Sequence, residues 1–136
     1  MKFVLLFVWV VSLSGCASTH DLASGPNHFG GGVSTIELKP GFFRVLARTN
    51  WAPWNNFDAA RRSWEKLANS TCGEGKWKEI ASKEQAQDVG VMRTPVPYIV
   101  TEKIGYVLCK NSQMTVEEAR ALAIRQVDMR AADLKD

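Results

Sequence analysis

Residues 103–109 read Lys-Ile-Gly-Tyr-Val-Leu-Cys, an apolar run ending in a cysteine that predicts a β-strand. Side chains alternate between the faces of a strand, so Val107 and Cys109 share one face and Tyr106 lies on the other. If Cys109 pairs with Cys72, then Val107 and Cys109 face the element that carries Cys72. The cysteine pair would therefore fix which apolar side chains meet on each side of the sheet.

Two strand-like runs lie upstream, from Val33 to Leu38 and from Phe42 to Thr49. They are separated by Lys39-Pro40-Gly41, where proline presets φ and glycine accepts positive φ, so the pattern predicts a hairpin. One face of the second run carries Phe43, Val45 and Ala47, and the other carries Phe42, Arg44, Leu46 and Arg48. We expect Phe42 and Leu46 to neighbour Tyr106 and Leu108 in a second apolar patch that needs a cover.

The segment from Phe57 to Ser70 predicts an amphipathic helix. Asn55 and Asn56 suit its N-cap, and Gly73 is a typical C-terminal signal that leaves Cys72 at the helix end. The apolar positions at helical spacing are Phe57, Ala60, Trp64, Leu67 and Ala68. This stripe predicts that the helix packs on one face of the sheet.

The rest of the sheet is less regular. Lys76 to Ser82 predicts a third strand, in which Trp77 and Ile80 share a face only through a bulge. Lys83 to Thr94 is expected to be irregular, followed by Pro95-Val96-Pro97, which must be extended or at an edge. The last strand is expected to begin near Tyr98 and to resume at Lys103.

A capping box, Thr115-x-x-Glu118, predicts a final helix that runs to about Leu134. Its stripe comprises Val116, Ala119, Ala123, Val127 and Leu134, but Arg120 and Arg130 intrude on it. Two placements follow: the helix covers the Tyr106 patch loosely, or it stands away and meets an envelope protein partner. The whole pattern predicts an α+β fold, with a small antiparallel sheet in ββαββ order packed on one helix and a C-terminal helix added.

The first residues resemble a bacterial lipoprotein signal. Lys2 precedes an apolar run from Phe3 to Val11, which spans about 14 Å and is too short to cross a membrane. Leu13-Ser14-Gly15-Cys16 then matches the lipobox, which implies a signal peptide at 1–15 and lipid on Cys16. The alternative is an ordinary secreted protein cut after Ala17.

The remaining boundaries follow from this export signal. Residues 16–32 lack apolar periodicity and are glycine-rich, which predicts a flexible tether. Residues 33–110 would form the α+β domain and residues 111–136 the C-terminal helix. With Cys16 on lipid, Cys72 and Cys109 remain as a disulfide pair in an oxidising compartment, the alternative being two free buried thiols.

The chain also resembles small Gram-negative envelope lipoproteins of unknown role. The shared features are Pro40-Gly41 before an aromatic strand, Cys72 after the helix, and Gly105-Tyr106-Val107-x-Cys109. Ala17 follows the cysteine at the position where an aspartate tends to retain lipoproteins in the inner membrane of enteric bacteria, so by resemblance we expect the outer membrane. The glycine-rich tether and the cysteine pair favour a domain on its periplasmic side. Surface display is the rival location.

Composition and motifs exclude several classes of function. A net charge of +3 without a basic stripe argues against nucleic acid. His20 and His28 fall in the predicted tether, so we expect no metal, no cofactor and no enzyme. Two hypotheses remain: a structural or protein-interaction role, and a binding module for a small ligand or cell-wall fragment that uses Trp51 and Trp54. A third reading has both tryptophans close one end of the core.

Overall fold

The computed structural model describes residues 20–90 and 95–133, with side chains described as far as residue 126. A 3-10 turn at Leu22–Ser24 precedes the main elements, which are β1 Gly32–Lys39, β2 Phe42–Arg48, α1 Phe57–Cys72, β3 Trp77–Asp88, β4 Ile99–Cys109 and α2 Val116–Asp133. The strands form an antiparallel sheet in the order β1-β2-β4-β3. The predicted α+β class, the ββαββ order and the added C-terminal helix are confirmed.

Helix α1 packs on one face of the sheet through Trp64. This side chain is fully buried among Val45, Ala47, Ala68 and Val107, and its indole Nε1 donates to the Val45 carbonyl at 3.0 Å. A Cβ at Gly105 would lie 2.8 Å from the Trp64 ring, so glycine is what lets the indole approach the strand. The predicted split of β2 into two faces is therefore correct.

A buried ammonium group lies beside the same tryptophan. Lys103 Nζ stands 4.3 Å from the Trp64 ring centroid and 3.0 Å from Glu79 Oε2, and its side chain is 9% exposed. The indole face and the carboxylate together offset the cost of removing the charge from water. The odd-numbered face of β4 thus changes from apolar at Val107 to polar at Lys103.

The opposite face of the sheet is covered by α2. Ala119 and Ala123 are fully buried against Phe42, Tyr106 and Leu108, and small side chains allow the helix to lie close to the sheet. The placement of α2 as a cover is confirmed, and the alternative of a helix standing away from the domain is wrong for this part of α2. Burial raises the pKa of the Tyr106 phenol. The predicted contacts of Val127 and Leu134 lie outside the described residues.

Strand β3 is longer than the sequence indicated. A bulge is present, as a register shift between Glu79 and Ala81, but it does not bring Trp77 and Ile80 onto one face: Trp77 packs on the α1 side and Ile80 on the α2 side. The segment expected to be irregular from Lys83 instead continues in the strand to Asp88, because it pairs with β4 along its whole length. Its polar composition reflects an edge position, where most side chains face water.

The predicted tether is largely part of the fold, which corrects the expectation for 16–32. The His20 carbonyl accepts from Val33 N at 2.7 Å, and Asp21 forms a parallel bridge with Val33. A Cβ at Gly32 would lie 2.6 Å from Leu22 Cδ2. The role of this glycine is therefore to leave space for the Leu22 side chain, not to make the segment flexible. The signal peptide, Cys16 and residues 17–19 lie outside the described residues.

Cys72 ends α1 and Cys109 ends β4, which brings the two thiol groups to disulfide distance, with Cα atoms 5.2 Å apart. A Cα separation of about 5.5 Å is usual for a bridge. The pairing places Cys109 and Val107 on the α1 side, as the cysteine argument required. Within residues 20–90 and 95–133, no helix is long and apolar enough to cross a membrane.

Oxidation of this pair is directly testable. We expect the mature protein to weigh less than its reduced form by the mass of two hydrogens, and reduction to cost up to about 4 kcal/mol of stability. The check is intact mass together with thermal melting before and after reduction. The double variant Cys72→Ser/Cys109→Ser should melt like the reduced protein, whereas thiols that titrate in the native state would contradict the bridge.

Candidate binding site

Three connecting segments meet at the end of the sheet where β2 finishes and β4 begins. They are residues 25–31 before β1, residues 49–56 between β2 and α1, and residues 95–98 before β4. Trp51 N donates to the Phe29 carbonyl at 2.8 Å, and Ala52 exchanges two hydrogen bonds with Ile99. We call this region, with its apolar side chains Phe29, Trp51, Trp54, Val89 and Tyr98, the aromatic end.

Asn27 organises the first of these segments. Its side-chain oxygen accepts from Phe29 N and Gly31 N at 2.9 Å each, and its amide nitrogen donates to Asn50 Oδ1 at 2.9 Å. Asparagine is favoured in such turns because its side chain can replace backbone partners. One side chain therefore shapes the turn, presents Phe29 and joins this segment to the next.

Aromatic rings run side by side across the aromatic end. The ring centroids of Trp51 and Tyr98 lie 4.4 Å apart, and those of Phe29 and Trp51 lie 6.1 Å apart. Tilted rings at these separations attract one another beyond the effect of area burial. Trp51 is nevertheless 37% exposed and Phe29 is 53% exposed, so the cluster has an open side.

An ion pair lies beneath the rings. Arg48 Nε and Nη2 approach Glu102 Oε2 at 3.0 and 2.9 Å, and Gln85 Nε2 donates to Glu102 Oε1. The Glu102 side chain is 14% exposed and that of Arg48 is 33% exposed. Water is thus partly excluded from the pair, and the two guanidinium hydrogen bonds to one carboxylate oxygen fix its geometry.

Asp88 holds the far wall in place. Its Oδ1 accepts from Gly90 N at 3.0 Å and Tyr98 N at 3.2 Å, while Val89 N donates to the Tyr98 carbonyl at 2.8 Å. The carboxylate fixes the strand ends from which Tyr98 and Val89 project. Both walls of the site therefore depend on hydrogen-bonded turns.

These walls enclose a cavity of about 490 Å³, which is within the range of small-molecule sites. The rings of Phe29, Trp51 and Tyr98 line its sides, and Arg48 and Glu102 line its floor. Tilted aromatic rings beside paired charges can hold a planar or saccharide-like ligand by ring contacts and directed hydrogen bonds. It can equally accept the apolar edge of a larger surface.

The predicted tryptophan pair is only partly brought together here. Trp51 lines the cavity, whereas Trp54 does not and is 63% exposed. The reading in which both tryptophans close the core is wrong, because both are exposed. The sequence analysis did not identify Phe29, Tyr98 or the Arg48–Glu102 pair as part of the site. For Phe29 a signal was available, because it is a lone phenylalanine in a glycine-rich segment.

The positions of the histidines also differ from expectation. His28 lines the cavity rather than lying in a distant tether, because Asn27 folds its segment back onto the sheet. Among residues 20–90 and 95–133, no group of histidine, cysteine and acidic residues could hold a metal ion. The prediction of a protein without catalytic or metal-binding groups stays a prediction.

A second, more open groove lies at the opposite end of the sheet. It has a volume of about 840 Å³ and runs between the β1–β2 turn and the start of α2, with Lys39, Met114 and Arg125 among its walls. In the capping box beside it, Glu118 accepts from Thr115 N at 2.9 Å, which holds the pKa of that carboxylate below its ordinary value. The aromatic end is the better bounded of the two.

Comparisons with protein-family models, with curated proteins and with solved structures find no match for this chain. The features of this chain that bear on function are the lipobox-like sequence Leu13-Ser14-Gly15-Cys16 and the geometry of the aromatic end.

Asn27→Ala tests whether one amide shapes the site. We expect the Phe29 and Gly31 amides to exchange with deuterium much faster while the melting temperature falls only slightly, because two of the lost bonds are local and the third, to Asn50, is only partly buried. Asn55→Ala is the matched control, since Asn55 is exposed in the neighbouring segment. Unchanged exchange at Phe29 would contradict the role given to Asn27.

Proposed function

We propose that this protein is a lipid-anchored component of the cell envelope with a non-catalytic, structural or interaction role. Lipid on Cys16 would hold it in the membrane, and the α+β domain would carry the function. The pattern Leu13-Ser14-Gly15-Cys16 and the small domain with a cysteine pair both support an exported protein. By resemblance, we place it on the periplasmic leaflet of the outer membrane.

The observation that carries this proposal is the position at which the chain enters the fold. His20 and Asp21 are already bonded to β1, so only residues 17–19 separate Cys16 from the folded domain. A lipid on Cys16 therefore leaves the domain beside the bilayer rather than on a long tether. A partner that meets α2 would contact its outer side, where Ile124 is 56% exposed, because Ala119 and Ala123 are buried.

Cys16→Ser tests the anchor. We expect the natural chain to incorporate labelled palmitate and to partition into detergent, because stable anchoring requires acyl chains. The variant should remain unlabelled and either soluble or uncleaved, and Ser18→Ala serves as the control that leaves labelling intact. An unlabelled, freely soluble mature protein that begins at Ser18 would contradict the proposal.

A second candidate function is favoured by the cavity itself. Aromatic rings that line one cavity with the Arg48–Glu102 pair suit a binding module for a small ligand, such as a fragment of cell-wall glycan. Sugars present apolar faces that stack on aromatic rings and hydroxyl edges that bond to charged side chains. This candidate uses Trp51 but not Trp54.

Tryptophan fluorescence tests whether the aromatic end binds a small ligand. Oligomers of N-acetylglucosamine added to the purified protein should quench tryptophan emission, and Trp51→Phe should remove the saturable response. Trp54→Phe should keep it, because Trp54 lies outside the cavity. A response unchanged by Trp51→Phe would place any glycan contact elsewhere.

A further inference from the structure

Large apolar side chains with high exposure are concentrated in one region of the described chain. Phe29, Trp51, Trp54 and Val89 are between 37% and 63% exposed, and all project from loops at the aromatic end. Val96, on the same side, is 48% exposed. The exposed Ile36 and Ile124 are isolated by comparison, on β1 and α2. Exposed large apolar side chains gathered at one end of a domain are typical of an interaction site.

The chain enters the fold at this same end. His20 bonds to Val33 at the start of β1, and the neighbouring Gly32 pairs with Arg48, three residues before Trp51. From Cys16 to His20 the chain spans at most about 14 Å, even when fully extended. A lipid on Cys16 would therefore bring the bilayer surface within reach of the exposed rings.

We propose that the aromatic end rests in the interfacial layer of the membrane that holds Cys16. This orientation rests on the proposed lipid anchor and names the partner of the aromatic end as a lipid surface. Tryptophan and tyrosine favour this layer because their rings combine an apolar body with a polar edge. The lipid and the rings then act as two attachment points, which fix the direction in which the domain faces.

Trp54 is the residue that favours a membrane over a soluble ligand. Of the large apolar side chains that the structure describes, Trp54 has the largest exposed fraction, yet it lies outside the cavity. A ligand inside the cavity leaves Trp54 in water, whereas a membrane surface laid across the loops of the aromatic end can reach Trp54 as well as Phe29 and Val89. In this orientation α2 and the groove beside it face away from the bilayer, where another envelope protein can reach them.

The test uses the mature lipidated protein, with acylation verified by mass, in vesicles of phosphatidylethanolamine and phosphatidylglycerol. Replacing part of the lipid with species brominated near the headgroup should quench tryptophan emission, because bromine quenches only at contact. Trp54→Phe should lose the largest share of the quenching. Trp77→Phe should keep it, because Trp77 lies at the start of β3, at the other end of the sheet, and bonds to Asn69.

A matched control moves a tryptophan of similar exposure to another surface. Ile124→Trp in the Trp54→Phe background should restore emission but not bromine quenching, since Ile124 is 56% exposed on α2. Absence of quenching in the acylated wild type would overturn the orientation while leaving the anchor intact. Equal bromine quenching in every variant would also overturn the orientation. So would quenching of Trp51 alone by soluble glycan, with none of Trp54 by brominated lipid. A chain without acylation would remove the anchor and the orientation together.

Discussion

Strand β4 pairs with β2 on one edge and β3 on the other, and from Gly105 to Cys109 it is buried on both faces. Each of its side chains must therefore pack against the helix on its own side of the sheet: Val107 packs against α1, and Tyr106 packs against α2. Gly105 has no side chain because Trp64 occupies that space, and the Trp64 indole in turn bonds to β2. The two helices are held on opposite sides of the sheet because this one strand is apolar on both.

The same strand changes character along its length. Toward its beginning, Thr101 and Lys103 occupy the α1 side and Glu102 the other, and each is bonded to another element. Thr101 Oγ1 accepts from Asn56 N at the start of α1, so the polar half of β4 also positions that helix. Helix α1 is further joined to β3 by Arg61, whose hydrogen bond to Glu84 lowers the pKa of that carboxylate. Buried polar groups here are paired, which limits the cost of burying them.

This division gives the domain two unlike ends. Near Cys109 the sheet is covered by α2 and closed by the cysteine pair, so the apolar side chains are hidden. Near Ile99 the α2-side face carries no α-helix from residues 20–90 or 95–133, and the loops bring Phe29, Trp51 and Tyr98 into one cavity with the Arg48–Glu102 pair. The closed end accounts for the stability of the domain, and the open end offers contact surface. A lipid on Cys16, four positions before His20, would place the open end at the bilayer.

The sequence by itself determined the fold class, because alternation in β2 and β4, helical spacing around Trp64 and the Thr115 capping box are local patterns. It also predicted the faces of β4. Side chains alternate along a strand, so a pair between Cys72 and Cys109 puts Cys109 and Val107 on the α1 side and Tyr106 on the other. Only the tertiary structure decided the length of β3, because pairing with β4 overrides the polar composition of Lys83 to Asp88. It also decided the aromatic end: Asn27 folds a glycine-rich segment back onto Asn50, a contact between residues far apart in sequence that no local pattern encodes. For the same reason Phe29, His28 and Tyr98 come together only when the loops meet, whereas Trp54 stays outside.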